Sequence, residues 1–324
     1  MPHAGCPNQC SFCNQKSISG QLEKITAQDV KKAAETAIKS SYSENGEIAF
    51  FGGSFTAIDR EYMTQLLKAA GPYIEQKYFS GIRISTRPDA IDEEICKILK
   101  ENYVTSVELG CQSMDDEVLK ANQRGHTSQD VVKATEMLRS YGFEVGHQMM
   151  TGLYKSSAEK DIETARKIIS LKPDTIRIYP TIVLEKTKLC ELYNSGEYKV
   201  MSDDETVELC AKLLLMFYEN GIKVIRTGLH SGGNVEEGYV AGYYHPAFKE
   251  LCESRIYLRK IIKEIEDRKI EKGKILVSVA PYAISATVGQ KKFNAEQLAK
   301  QGYEMKVVAV NDVDRYEVKV EEQK

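Results

Sequence analysis

The sequence predicts an α/β fold: a partial parallel (β/α) barrel followed by a small C-terminal α/β extension. Three observations carry that prediction. Strand-like and helix-like segments alternate from residue 26 to residue 225, as they do where parallel strands are joined by right-handed crossovers. Five strand-like segments end in a polar or glycine-bearing motif, and in a parallel barrel those ends share the face where active sites are built. The length of 324 residues suits one barrel of about 250 residues plus an appendage.

The elements follow in order. Residues 26–44 have helical periodicity, with Thr26 as N-cap. Ile48–Phe51 reads as a strand and 59–78 as a helix. Ile82–Ile84 is a strand and 91–102 a helix. Val104–Leu109 is a strand, with helical stretches over 115–122 and 128–141. Phe143–Met150 is a strand, 157–171 a helix, Thr175–Tyr179 a strand, 203–220 a helix and Ile222–Ile225 a strand. The strand ends are Gly52-Gly53-Ser54-Phe55-Thr56, Ser85-Thr86-Arg87-Pro88, Gly110-Cys111-Gln112-Ser113, Gln148-Met149-Met150-Thr151-Gly152 and Tyr179-Pro180-Thr181. Glycine, proline and serine also make ordinary βα turns. Five such ends on one side of one sheet point instead to a cavity. The expected division is a barrel over 1–228, a connecting loop and helix over 229–270, and a small α/β domain over 271–324.

Composition sets limits. A hydrophobic fraction of 42% is enough for a large core and excludes global disorder. No apolar run approaches the ~20 residues of a membrane span, and the N-terminus has no signal-peptide apolar core. The formal net charge of −3 excludes a generally basic nucleic-acid coat but leaves room for a local basic patch. Eight cysteines in 324 residues are too sparse for a disulfide scaffold.

Three of those cysteines, Cys6, Cys10 and Cys13, form C-x3-C-x2-C in the first 13 residues. A short loop folds three such thiolates onto one iron–sulfur cube. Closed electron-transfer clusters usually take four, and the next cysteine is Cys96. Three thiolates leave one iron open, and an open metal position is where a ligand binds and reacts. The bland alternatives are a Cys3His zinc knot using His3, or three reduced thiols. The spacing favours the cluster, since zinc knuckles more often use C-x2-C pairs.

At these residues, with Phe12 before the last cysteine, the chain resembles the radical SAM superfamily. Within it the resemblance is to the Elongator catalytic-subunit-like, tRNA-modifying branch. Its matching segments are Gly5–Gln15, Phe50–Thr56, Thr86–Asp89, Val107–Ser113, Arg124–Thr127 and Arg177–Thr181. The resemblance implies a 4Fe-4S cluster on Cys6, Cys10 and Cys13. It also implies S-adenosyl-L-methionine held near Gly52, Gly53, Ser54, Gln112, Arg124 and Gln148. The Gln112 and Arg124 pair is similar to a Gln and an Arg of the related oxygen-independent coproporphyrinogen oxidases, and a guanidinium fork matches a carboxylate. Further implications are reductive cleavage to a 5′-deoxyadenosyl radical, RNA or tRNA as possible substrate, an electron donor such as a flavodoxin or ferredoxin, and a cytoplasmic setting. Rival readings are a radical SAM enzyme acting on a tetrapyrrole or small metabolite, and a non-enzymatic iron–sulfur RNA-binding protein. Three departures stand out. Only five residues precede Cys6, so the barrel is expected to lack its first strand, and there is no room for the branch's acetyltransferase domain. A loop usually ending Gly-Leu-Pro reads Gly152-Leu153-Tyr154.

The lone groups have plainer expectations. His126 reads as a structural hydrogen-bonder and His147 as a core imidazole. His230 and His245 lie in Gly/Tyr-rich loops, where function is commoner. Cys111 reads as inert packing, and Cys96, Cys190, Cys210 and Cys252 as buried thiols. In the last third, helix 247–270 precedes strand 275–279, a turn at Gly289-Gln-Lys-Lys292 between helices 282–288 and 294–301, and strands 305–310 and 316–320. That order resembles a KH RNA-binding core, with Lys292 where its GXXG loop has the second glycine. Aromatic residues are few in this segment, so base stacking is not strongly indicated.

Overall fold

The structure, a computed structural model, describes residues 10–14, 24–40, 46–229 and 236–323. Six strands form the main sheet: β1 (Glu47–Phe50), β2 (Gly81–Thr86), β3 (Val104–Gln112), β4 (Glu144–Thr151), β5 (Thr175–Pro180) and β6 (Lys223–Thr227). Each is parallel to its sequence neighbour, so spatial order equals chain order. That simple succession is what right-handed βα crossovers produce. Among the described residues β1 and β6 are the edges and no strand precedes β1. The expectation that the barrel lacks its first strand concerns residues ahead of Cys6, outside the described residues.

The crossovers are α2 (Arg60–Glu75), α3 (Glu93–Glu101), α4 (Asp116–Ala121), α5 (Ser128–Ser140), α6 (Ala158–Ser170), α7 (Lys188–Asn194) and α8 (Asp203–Glu219), and α1 (Ala27–Ser40) packs beside α2. Their starts are written in the sequence. Asp59, Asp92, Asp115, Thr127, Ser157, Thr187 and Ser202 each accept a backbone N–H of the first turn, which satisfies donors the helix itself leaves open.

Alternation along the strands sorts the two faces. Ile82, Ile84, Val107, Leu109, Val145, Ile176 and Ile178 are fully buried against the helices. The residues between them, Arg83, Ser85, Glu108, Gln148 and Arg177, carry polar groups on the inner face. Such a pattern is a half-barrel with an aliphatic exterior and a polar lumen.

Helix α9 (Phe248–Arg268) lies on α8 and leads into a three-stranded sheet of β7 (Gly273–Val279), β8 (Tyr303–Ala309) and β9 (Lys319–Glu322), with α10 (Ile284–Val288) and α11 (Phe293–Lys300) between β7 and β8. β7 is central, parallel to β8 and antiparallel to β9. Ile275, Val277, Val279 and Leu298 join one continuous buried cluster with Ile256 and Ile261 of α9 and Leu213 and Phe217 of α8.

Periodicity missed three short elements. The strands Val183–Leu184 and Tyr239–Ala241 pair antiparallel, and α7 follows the first of them. Two- and three-residue strands are too short to alternate visibly. The last strand starts at Lys319 rather than at residue 316. Tyr316 has φ 62 and a buried ring, and a left-handed residue breaks a strand. The first helix ends at Ser40, with 41–45 outside the described residues. Among the described residues, no helix is long and apolar enough to cross a membrane.

Candidate functional site

The cysteine loop is seated by elements far away in sequence. Cys10 is buried, and its carbonyl accepts the Cys13 N–H at 3.0 Å, closing a turn that holds both thiols in one loop. Ser11 N–H donates to the Asn122 carbonyl (3.1 Å), and Ser11 Oγ donates to Asn122 Oδ1 (2.7 Å). The Ser11 carbonyl accepts the Leu189 N–H (2.7 Å), and Asn14 donates to the Glu185 carbonyl (3.1 Å). Phe12 packs into a cluster of Val183, Leu189, Leu192, Tyr198, Ala241 and Tyr154. The overlooked short strands and α7 thus form the seat. Tyr154, the departure from Gly-Leu-Pro, is part of it, edge-on to Tyr198. Cys6 and His3 lie outside the described residues.

Arg124 lies at the strand ends beside this loop. It is 7% exposed, unlike the arginines of surface ion pairs. Its Nη2 donates to the Gly110 carbonyl at 2.6 Å and its Nη1 is 3.5 Å from Cys10 Sγ. A side chain at Gly110 is impossible without displacement: a Cβ there would lie 2.8 Å from Arg124 Nη2 and 3.1 Å from Gln112 Nε2. Gly110, Gln112 and Arg124 therefore converge on one point at the end of β3. The register shifts there, and Gln112 has φ 64. Bulges and left-handed non-glycine residues are costly and concentrate at functional sites. The Gln112 Oε1 is buried with no hydrogen-bond partner among the described residues. An orphaned buried acceptor costs about 1–3 kcal/mol unless something fills it.

Asn122 is the hub that sequence reasoning passed over. Fully buried, it accepts from Ser11 and donates to the carbonyls of Val118 and Tyr154, each at 2.8 Å. One amide thereby ties the cysteine loop, the Arg124 segment and the Tyr154 loop together. The only visible signal was its place in Asn122-Gln-Arg-Gly-His.

On the β1 side, Gly52 (φ 91) and Gly53 (φ 68) turn the chain after the strand in backbone conformations that favour glycine. Ser54 is fully buried; its Oγ lies 2.8 Å from Thr86 Oγ1 and accepts the Arg87 N–H at 3.1 Å. Those bonds lock the ends of β1 and β2 together. Gln148 stands opposite Gly110 in the register, and its Nε2 donates to Ser85 Oγ (3.2 Å) and Glu108 Oε2 (2.9 Å).

Gln148 therefore joins an ion cluster in the lumen that the sequence reading did not assemble. Glu108, completely buried, takes both fork hydrogens of Arg177 at 2.6 and 2.8 Å. Arg83 reaches Glu47 (2.7 Å), Glu144 (2.8 Å) and Glu108 (3.6 Å). Arg177 also lies over the Phe51 ring at 5.1 Å. The signal was there as alternate charges on β2, β3 and β5, which belong in a core only if they pair.

The remaining groups have local explanations. His126 Nε2 is 3.2 Å from the Cys111 carbonyl, and burial, with Arg124 nearby, pushes its pKa down to about 4. His147 Nε2 is 2.8 Å from Thr135 Oγ1, and burial pushes it down to about 3. Both stay neutral at ordinary pH. Burial raises the thiols of Cys111 and Cys210 to about 12 and that of Cys96 to about 11. Cys252 is raised for the same reason. Protonated thiols of this kind are inert packing. Cys190 is half-buried, not buried as expected, and packs at the edge of the Phe12 cluster. His245 Nδ1 accepts the Ala247 N–H, and His230 lies outside the described residues.

Comparison with known proteins agrees with this geometry. The radical SAM superfamily model matches residues 1–168 and a radical SAM C-terminal domain model matches residues 173–258. A tRNA uridine(34) acetyltransferase of Methanocaldococcus jannaschii is 34% identical over 184 residues, covering 50% of this chain and 34% of the relative. The human Elongator complex protein 3 is 30% identical over 190 residues, covering 52% and 35%. This chain thus spans about a third of the length of these two curated relatives. Among solved structures, the archaeal Methanocaldococcus infernus Elp3 superposes with TM-score 0.61 at 24% identity, over 76% of this chain and 61% of that one. Fold and motifs meet at the same strand ends, and the chain belongs to the radical SAM superfamily, in its Elongator-like branch, a class of enzymes that work with a 4Fe-4S cluster and S-adenosylmethionine.

Proposed function

We propose that this enzyme modifies RNA, with a transfer RNA as substrate, by abstracting hydrogen from a nucleoside presented at the carboxyl ends of the strands. The observation that carries the reading is the convergence of Gly110, Gln112 and Arg124 beside Cys10. Names of relatives that act on tRNA uridine supply the substrate class.

In this reading Cys6, Cys10 and Cys13 hold the cluster. Gly52 and Gly53 approach the methionine amino group, Gln112 and Arg124 orient the rest of the cofactor, and Gln148 borders it. The cofactor pair supplies a 5′-deoxyadenosyl radical when an electron arrives from a donor such as a flavodoxin or ferredoxin. The protein's own residues do the positioning. The Arg124 guanidinium, held by the Gly110 carbonyl, offers a cationic fork to a carboxylate. The orphaned Gln112 Oε1 offers an acceptor to an N–H or O–H of the cofactor. Ser11, Phe12 and Asn14 fix the cysteine loop. Such a protein works in a reducing cytoplasm.

Anaerobically reconstituted protein with a strong reductant should release 5′-deoxyadenosine, and added transfer RNA should raise the yield severalfold. Cys10→Ala should abolish release. Release unaffected by Cys10→Ala would end the assignment, and stimulation by a porphyrin but not by RNA would replace the substrate class.

A further inference from the structure

We propose that the C-terminal module carries a second RNA-contacting surface, formed by the Gly289–Lys292 turn and the rings of Tyr282 and Phe293. This rests on the reading of RNA as substrate. Three of the large exposed apolar side chains fall within twelve residues here: Tyr282 (66% exposed), Ile284 (37%) and Phe293 (39%). A protein core does not explain them, and clustered exposure of this kind marks an interaction site.

The turn between them is strained and rigid. Lys291 (φ 51) and Lys292 (φ 63) are the only consecutive non-glycine residues in the left-handed region among the described residues. Strain of that kind persists only where the surroundings impose it. They do: a Cβ on Gly289 would meet Ser254 Oγ at 2.9 Å and Asn294 N at 3.0 Å, so the turn is wedged against α9. The buried Asn294 amide donates to the carbonyls of Ser254, Ala286 and Thr287, fastening both sides. A rigid platform loses little entropy on binding.

Charge decides the partner. Lys291 and Lys292 are exposed, and among the described residues neither is within ion-pair distance of a carboxylate. Of the acidic groups nearby, Glu253 is engaged by Arg315, and Asp204 and Glu208 by Arg255, which leaves the exposed Glu296 in the first turn of α11 against the two lysines. Lysine is depleted from protein–protein interfaces. Lysine ammoniums beside exposed aromatic faces suit phosphates beside bases, and stacking on such faces tolerates any sequence. The guanidiniums of Arg315 and Arg255, ion-paired as they are, lie 6.0 and 5.4 Å from the Tyr282 and Phe293 ring centres and help hold each ring in place.

The test uses fluorescence anisotropy with an unmodified transfer RNA transcript and the full chain. Lys291→Gly/Lys292→Gly removes both charges and relieves the left-handed strain, since glycine adopts that region freely. Expected are a melting temperature that does not fall, RNA affinity down about tenfold, and a salt-dependence slope shallower by roughly 1.4, from ~0.7 per lost phosphate contact. Tyr282→Ala/Phe293→Ala should weaken binding by about tenfold or more with the slope unchanged. RNA-free release of 5′-deoxyadenosine should stay at the parent level in both variants. Undiminished RNA binding in both would overturn the surface while leaving RNA as substrate. A parent chain that releases 5′-deoxyadenosine but binds no RNA would overturn the substrate reading and this surface with it. Sedimentation showing a parent dimer and monomeric variants, with RNA binding unchanged, would assign the face to a second copy of the chain.

Discussion

The two arginine clusters on the inner face of the sheet differ in what holds them. In the lumen, Arg177 is matched by both oxygens of the fully buried Glu108, and Arg83 is shared among three carboxylates. At the strand ends, Arg124 reaches a backbone carbonyl and a cysteine sulfur. The first arrangement satisfies charge with charge and serves the fold. The second sets a guanidinium against a carbonyl and a thiol beside an orphaned acceptor, the arrangement proposed above to receive the cofactor. Burial alone does not separate the two settings.

The largest effect should come from breaking the lumen cluster. Arg177→Met leaves Glu108 buried and uncompensated, and removal of one partner from a buried pair costs about 3–5 kcal/mol. Urea unfolding of the metal-free chain measures it, and a loss below about 1 kcal/mol would mean that the two clusters are not different in kind. Arg124→Met should have the opposite profile. Its melting temperature should stay near the parent's, while S-adenosylmethionine binding by calorimetry weakens on the order of 10- to 100-fold, the worth of a charge-assisted hydrogen bond.

Protons probe the helix-facing side of the same sheet. The pKa of His147 is about 3 when folded, against an ordinary 6.5. The unfolded chain therefore binds the extra proton first, and stability is lost as pH falls below 6.5, by roughly 2 kcal/mol at pH 5. Asp161 runs the other way. Burial raises it to about 6 from 3.8, so the folded chain binds the extra proton and stability falls as pH rises from about 4 to 6. Urea midpoints of Asp161→Asn against the parent should differ in slope across that window; parallel profiles would contradict the shift.

The smallest effect sharpens the comparison most. Gly110→Ala places a methyl 2.8 Å from Arg124 Nη2. A few-fold loss of S-adenosylmethionine affinity with an unchanged melting temperature would localise the function to that contact.

The alternating segments and capping residues made the parallel sheet legible, because aliphatic periodicity and N-cap chemistry are local signals. The cysteine spacing and the Gln112–Arg124 interval were legible for the same reason. Asn122, Glu108 and Arg177 were not, since their meaning lies in partners 32 to 111 residues away. The short strands Val183–Leu184 and Tyr239–Ala241 were also hidden. They are set by pairing with each other and by the Phe12 cluster rather than by a pattern of their own. The aromatic count of the last third does not say which rings the fold leaves outside, and Tyr282 and Phe293 are exposed.

Asn122 gives the molecule a thermodynamic coupling. Because one amide bonds the cysteine loop, the helix before Arg124 and the Tyr154 loop, whatever orders one of them lowers the entropy cost of ordering the others. Linkage is reciprocal. Loading the thiols should slow amide hydrogen exchange in α4 and around Tyr154, and a ligand gripping Arg124 should in turn tighten the hold of the loop on its metal.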